Sequence, residues 1–263
     1  MDAFTDRRYL LTSQYKDGSN LNARIELHRR FSTNPYGWTH WVLDQLELPS
    51  GSQVLELGCG PATLWRDNLA RIPGSWEITL SDFSAGMLAE AQANLGTHRQ
   101  RFTFEVVDAQ VIPRRDAQFD AVIANHMLYH VPDRQKALAE IRRVLKPNGK
   151  LYAATNGSKH LLETEVLIRK LKPEQKRMAE PFNLDNGQEQ LSACFSNVEL
   201  RRYNDSLRVT ETEPLIAYLL SGLENLSVAD ERVAALSAYV EREIAEKGAV
   251  HITKESGVFV ASA

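Results

Sequence analysis

The chain has only two cysteines, Cys59 and Cys194, in 263 residues. Their spacing matches no metal motif. Cys59 lies inside a glycine turn, where a disulfide to Cys194 is disfavoured, so a reducing cytoplasm is the expected setting. No apolar run nears the roughly 18 residues that a membrane helix needs, and no membrane partner is expected. Residues 1–6 lack a positive head followed by an apolar stretch, so no signal peptide is expected. Neither charge dominates: 31 Lys and Arg face 34 Asp and Glu, for a net charge of −3. With its arginine pairs scattered, the chain does not read as a nucleic-acid-coating protein. There is no internal repeat and no low-complexity linker. The 43% of hydrophobic residues suffices for a sizeable core, in one large domain or a domain plus a cap.

One further absence separates two cofactor classes. Val54-Leu55-Glu56-Leu57-Gly58-Cys59-Gly60-Pro61-Ala62 reads as a buried strand that ends in a glycine turn. Gly58 and Gly60 tolerate positive φ and let backbone approach a ligand closely. The following helix presents unpaired N–H groups beside the turn. A dinucleotide fingerprint needs G-x-G-x-x-G, but Thr63 occupies the third glycine position. Glu56 also argues against a pyrophosphate, because a carboxylate at the strand end repels one. A ligand with an ammonium and a sulfonium, and no phosphate, can use it.

Further strands follow at regular intervals. Trp76-Glu77-Ile78-Thr79-Leu80 is an apolar strand, and Asp82 after it suits the two hydroxyls of a ribose. Phe83 is placed to pack on a base or to fill the core. Ser84 reads as the N-cap of an alanine-rich helix over residues 85–95, which carries Met87. Residues 102–107 alternate as a strand and end at Asp108 and Ala109. Residues 119–124 form a fourth strand, with Asn125, His126, Tyr129 and His130 at its carboxyl end, where open α/β sheets bind ligands. An amphipathic helix over 134–145 stops at Lys146-Pro147-Asn148-Gly149, and a fifth strand covers 150–154.

The pattern E-x-G-x-G-x-A from Glu56 to Ala62, with these blocks behind it and L-K-P-N-G-K-L before the fifth strand, resembles the class I S-adenosylmethionine (SAM) dependent methyltransferases. The resemblance covers about residues 53–156, and five elements agree in order. It implies a doubly wound, seven-stranded, mostly parallel Rossmann-like α/β sheet with one antiparallel strand and helical cap segments. It implies methyl transfer from SAM, with S-adenosylhomocysteine as product. It assigns Glu56, Gly58, Cys59, Gly60, Asp82, Phe83, Met87, Asp108, Ala109, Asn125 and His126 to the cofactor. In this family Asp108 corresponds to the residue that bonds the adenine amino group.

The flanks are expected to set specificity. Residues 1–48 read as an N-terminal helical cap, with helices over 22–31 and 36–46; Tyr9 and Tyr15 are candidates to reach the methyl donor, because π faces attract cations. Residues 49–263 read as the SAM-binding domain, with helical insertions at about 158–195 and 211–247. Helices are expected over 158–172, 187–195, 214–223 and 229–246, a sixth strand over 197–203, and a last, antiparallel strand over 255–261.

Methyl transfer is an in-line displacement, whose main demand is the placement of acceptor and methyl. If a general base is used, His126 and His130 are the candidates, with Tyr129 a weaker one. Four residues apart, the two histidines would share a face of a helical turn. The string H-M-L-Y-H lacks the glutamate of a zinc motif and no third ligand is near, so no metal is expected. The preferred reading is a methyltransferase acting at O or N, with C as a further option, on a small-molecule acceptor, as a monomer or homodimer. The alternatives are a non-catalytic SAM-fold binding module, an RNA- or protein-directed methyltransferase, and a dehydrogenase. A short-chain dehydrogenase would need a Tyr-x-x-x-Lys pair, which the chain lacks.

Overall fold

The computed structural model describes residues 19–174, 181–221, 223 and 229–263. In chain order its strands are β1 (Gln53–Leu57), β2 (Glu77–Asp82), β3 (Phe102–Val106), β4 (Phe119–Asn125), β5 (Leu145–Asn156), β6 (Asn197–Tyr203), β7 (Ser206–Val209), β8 (Val250–Thr253) and β9 (Ser256–Ser262). Its helices are α1 (Ser19–Phe31), α2 (Trp38–Asp44), α3 (Thr63–Asp67), α4 (Ala85–Leu95), α5 (Arg134–Val144), α6 (Leu162–Leu171), α7 (Gly187–Ser192), α8 (Thr212–Leu220) and α9 (Glu231–Lys247). Seven strands form one sheet in the order β3-β2-β1-β4-β5-β9-β6. Within it β9 runs antiparallel to both neighbours, β5 and β6, while the other pairings are parallel. The order reverses between β1 and β4, and that crevice at the carboxyl ends is where such sheets receive ligands.

Period-two alternation explains the two main cores. Leu55 and Leu57 of β1 and Val122 and Ala124 of β4 pack into a cluster on one face of the sheet. Val54, Ala121 and Ile123 pack into a second cluster on the other face. Both faces are covered, which is why these strands read as continuous apolar runs. The helices start where polar caps fall: Ser84 Oγ accepts from Met87 N–H ahead of α4, and Asp133 accepts from Lys136 N–H ahead of α5.

A third apolar cluster lies off the sheet. It joins Leu27 and Phe31 of α1, Leu167 and Leu171 of α6, Leu215 and Leu219 of α8, and Val233, Leu236 and Val240 of α9. Beneath them β7 and β8 form a separate two-stranded antiparallel sheet. Thr33 N–H donates to the Ser206 carbonyl at 2.8 Å, so the chain after α1 is stitched to this small sheet.

Several boundaries differ from the sequence expectations. The turn expected at Lys146–Gly149 lies inside β5: Leu145 pairs with Phe119, and the register then shifts to Ala121 with Lys150. Gly149 makes this possible, because a Cβ there would meet the Phe119 carbonyl at 2.9 Å. The helix expected from 36 begins at Trp38, after Gly37 with φ 82°. The helix expected from 158 begins at Leu162, after Leu161 with φ 57°. The last strand starts at Ser256, because the Glu255 carboxylate turns back to accept from Lys159 N–H at 3.0 Å. The β7–β8 pair was not anticipated; four-residue strands carry too little periodicity to read.

Candidate functional site

A cavity of about 660 Å³ opens at the carboxyl ends of β1, β2 and β4, within the size range of sites for small ligands. Glu56, Gly58, Cys59 and Gly60 line it from β1 and its turn. Asp82, Phe83 and Met87 line it from β2 and α4, Asp108 and Ala109 from the chain after β3, and Asn125, His126, Tyr129 and His130 from the end of β4. The structure thus brings together every described residue that the sequence placed in the site. Tyr9 and Tyr15 lie outside the described residues.

Glu56 is 2% exposed. Its carboxylate accepts from Trp65 Nε1–H at 2.5 Å and from Asn125 Nδ2–H at 3.2 Å. Burial pushes its pKa up from 4.5 to about 7, against those two donors. The other end of the Asn125 amide, Oδ1, is buried with no hydrogen-bond partner. An acceptor left alone in the interior costs about 1–3 kcal/mol, so this atom awaits a donor. Asp82 joins the first two strands: Oδ2 accepts from Gly60 N–H at 3.1 Å and Oδ1 from Ser84 N–H at 2.9 Å. Burial raises its pKa, and those backbone donors oppose the rise.

The glycine turn is shaped for close approach. Gly58 has φ +67°, and a Cβ there would lie 2.8 Å from the Met127 Cβ. Gly60 has φ +51° and opens onto empty space with nothing within 4 Å of a Cβ position. Ala62 also takes a left-handed φ of 57° as the cap of α3. Burial, followed by the Glu56 and Asp82 charges, pushes the Cys59 thiol up, so it stays protonated. Both cysteines are free.

At the end of β4 the geometry departs from expectation. His126 adopts φ 50°, and its N–H donates to the Ala154 carbonyl at 3.0 Å. The short 3₁₀ turn covers only Leu128–His130, so His126 and His130 do not share a helical face. The kink at His126 interrupts the turn that would have aligned them. The rings of Tyr129 and His130 meet edge-on at 4.5 Å. Trp38 covers His126, with ring centroids 5.4 Å apart. Burial, then the Lys254 and His130 charges, lowers the His126 pKa to about 4. Among the described residues no group of three His, Cys, Asp or Glu side chains could hold a metal ion.

The sequence reading missed the far wall. His28 of α1, His160 between β5 and α6, Lys254 between β8 and β9, and Ser256 also face the cavity. Each stands alone in the sequence, and no local motif marks it.

The acceptor set fits a cofactor that carries both an ammonium and a ribose. Glu56 with the unpartnered Asn125 Oδ1 suits the ammonium, Asp82 at the β2 end suits the hydroxyls, and the open face of Gly60 admits the chain between them. Sheet order, the lone antiparallel strand and this strand-end site together define the class I SAM-dependent methyltransferase architecture. Residues 54–149 match the family model described as "Methyltransferase domain". Among curated relatives it is 30% identical over 156 residues to the methyltransferase GfsG of Streptomyces halstedii, covering 57% of this chain and 51% of that protein. It is 33% identical over 139 residues to the demethylmenaquinone methyltransferase of Renibacterium salmoninarum, covering 51% of this chain and 56% of that one. The chain spans about half the length of the curated relatives it matches. Among solved structures, phosphoethanolamine N-methyltransferase 2 of Haemonchus contortus, in complex with S-adenosyl-L-methionine, superposes with a TM-score of 0.59. That match is 19% identical and covers 100% of this chain and 60% of the other, and it speaks to the fold alone. Among the described residues no helix is long and apolar enough to cross a membrane.

Proposed function

We propose that this protein is a SAM-dependent methyltransferase that acts on O or N, with C as a further option, of a small-molecule acceptor. The observation that carries this reading is the pairing of buried Glu56 with an Asn125 amide whose oxygen lacks a partner, in the same cavity as the Gly58–Gly60 turn. SAM, when bound, supplies a methyl group on a sulfonium, already activated for displacement. In this reading Glu56 and Asn125 hold the ammonium, and Asp82 takes the ribose hydroxyls. Asp108 and Ala109 N–H meet the adenine, while Phe83 and Met87 pack against its ring.

His126, Tyr129 and His130 then stand where the acceptor enters. With its pKa near 4, His126 is a weak proton acceptor and is uncharged at neutral pH. Its contribution is to orient the acceptor and exclude water more than to carry a proton, which agrees with a reaction whose main demand is placement. The helices of the third cluster, α1, α6, α8 and α9, act as a cap that closes the acceptor end. A cavity of about 660 Å³ suits a cofactor plus a small acceptor. The Renibacterium relative, named for action on demethylmenaquinone, supports the small-molecule reading.

Isothermal titration with SAM, S-adenosylhomocysteine and NAD tests the proposal. Micromolar binding of the first two and none of NAD is expected. Binding of NAD alone, or of none of the three, would overturn it.

A further inference from the structure

The half of the cavity beyond Asn125 is built differently from the cofactor half. Three histidines from three separate elements converge there: His28 from α1, His126 after β4, and His160 from the connection between β5 and α6. The rings of His28 and His160 stack with centroids 6.2 Å apart, and Tyr218 meets His28 edge-on at 6.4 Å. Lys254 reaches the same wall from the link between β8 and β9.

The hydrogen-bond state of this wall is specific. His160 Nδ1 accepts from the Glu255 N–H at 3.1 Å, so a neutral His160 carries its proton on Nε2. His28 Nδ1 is buried and has no hydrogen-bond partner. The Lys254 ammonium donates to Asp205, which is wholly buried and also accepts from Ser32 Oγ and Asn34 N–H. One donor of three is used in that ion pair, and the ammonium also lies over the Tyr203 ring at 5.7 Å from its centroid, which leaves Lys254 N–H groups without a hydrogen-bond acceptor. Asp205 does not line the cavity, and its carboxylate is committed to these donors, although its charge still opposes the fall of the His28 pKa.

The charges around the wall decide what it can receive. Burial lowers the pKa of His28 to about 3 and that of His126 to about 4, and holds that of His160 well below 6.5. All three rings are neutral, and Lys254 contributes to lowering each of them. Arg29 also lines the cavity, but it is exposed and bound to Glu26 of its own helix. Glu255 is bound to Lys159 N–H and Arg202. The other carboxylates on the cavity lining, Glu56, Asp67, Asp82 and Asp108, belong to the opposite half. An ammonium at this wall would therefore be desolvated beside Lys254 with no carboxylate to meet it, which is costly. An oxyanion would meet Lys254 N–H groups and the unpartnered Nδ1 of His28 in its Nδ1–H tautomer, which are charge-assisted and polar donors.

We propose that this three-histidine wall, with Lys254, seats an acidic oxygen of the acceptor, as found in a phenol, an enol or a carboxylate, and so selects such compounds over amines. The inference rests on the methyltransferase reading, since it deepens the acceptor half of the same site. The sulfonium of a bound cofactor works in the same direction, attracting an anion and repelling a cation.

The test uses the full chain saturated with S-adenosylhomocysteine. Isothermal titration compares 2-naphthoate with 2-naphthylmethylamine, which share a ring system and differ in charge. The expected result is naphthoate binding at least about tenfold tighter. His28→Phe, which keeps an aromatic ring, and Lys254→Gln, which leaves Asp205 a donor, should each erase most of that preference while S-adenosylhomocysteine affinity holds. Equal binding, preference for the amine, no binding of either probe, or a preference that survives both variants overturns the inference. If S-adenosylhomocysteine itself fails to bind, the methyltransferase reading falls; if it binds and the preference is absent, only the acceptor inference does.

Discussion

Asn125 and Glu56 sit across the β1–β4 crevice with their amide and carboxylate 3.2 Å apart, and the amide nitrogen is the half that is used. The oxygen half is buried and unpartnered.

Ionisation of Glu56 should govern cofactor binding. Its pKa near 7 means that the free protein is largely protonated there at about pH 6. An ammonium prefers the carboxylate, so S-adenosylhomocysteine affinity should rise about tenfold between about pH 6 and pH 7.5, with proton release. Titration calorimetry in buffers of different ionisation enthalpy reads both. Glu56→Gln should bind weakly with a flat profile.

The same shift has a stability side of opposite sign. A carboxylate whose pKa is raised on folding weakens the folded state as pH climbs from its ordinary 4.5 to about 7. The contribution is about 3 kcal/mol. Urea unfolding of the free protein should show wild type losing stability over that window and Glu56→Gln losing less.

The two glycines should respond differently to alanine. Gly58→Ala places a Cβ 2.8 Å from Met127 Cβ at φ +67°, and should cost about 3 kcal/mol of stability. Gly60→Ala meets nothing within 4 Å, so it should cost about 1 kcal/mol through its φ of +51° and fall mainly on cofactor affinity. Thermal melts with and without S-adenosylhomocysteine separate the two effects.

Asp82→Ala removes a carboxylate that holds Gly60 N–H and Ser84 N–H as well as facing the cavity. Cofactor affinity should drop by about 2 kcal/mol. Calorimetry on the folded variant checks this, and unchanged affinity would remove Asp82 from the ribose site.

Lys254→Met should destabilise the protein by about 3–5 kcal/mol, because it strands the buried Asp205 carboxylate. The double variant Asp205→Asn with Lys254→Met should recover most of that loss in chemical denaturation.

Legibility in the sequence followed locality. Glu56, Gly58 and Gly60 are neighbours in the chain, and Asp82 and Asp108 each end an apolar run, so pattern and position agree. The cap residues obey no such rule. His28 lies in an amphipathic helix, His160 in a loop and Lys254 between two short strands. Tertiary packing alone brings them to one wall. The expectation for His126 and His130 failed for a related reason: a left-handed φ at a histidine is set by the Ala154 carbonyl across the sheet, which the string H-M-L-Y-H does not encode.

His28, His160, Asp205 and Lys254 all fall outside residues 54–149, and only His126 of that wall falls inside. Under the proposed function, the segment matched by the family model holds the cofactor cradle, and most of the acceptor wall lies outside it. If that proposal holds, substitutions at His28, His160 or Lys254 change the choice of acceptor while leaving the cofactor residues of the matched segment in place.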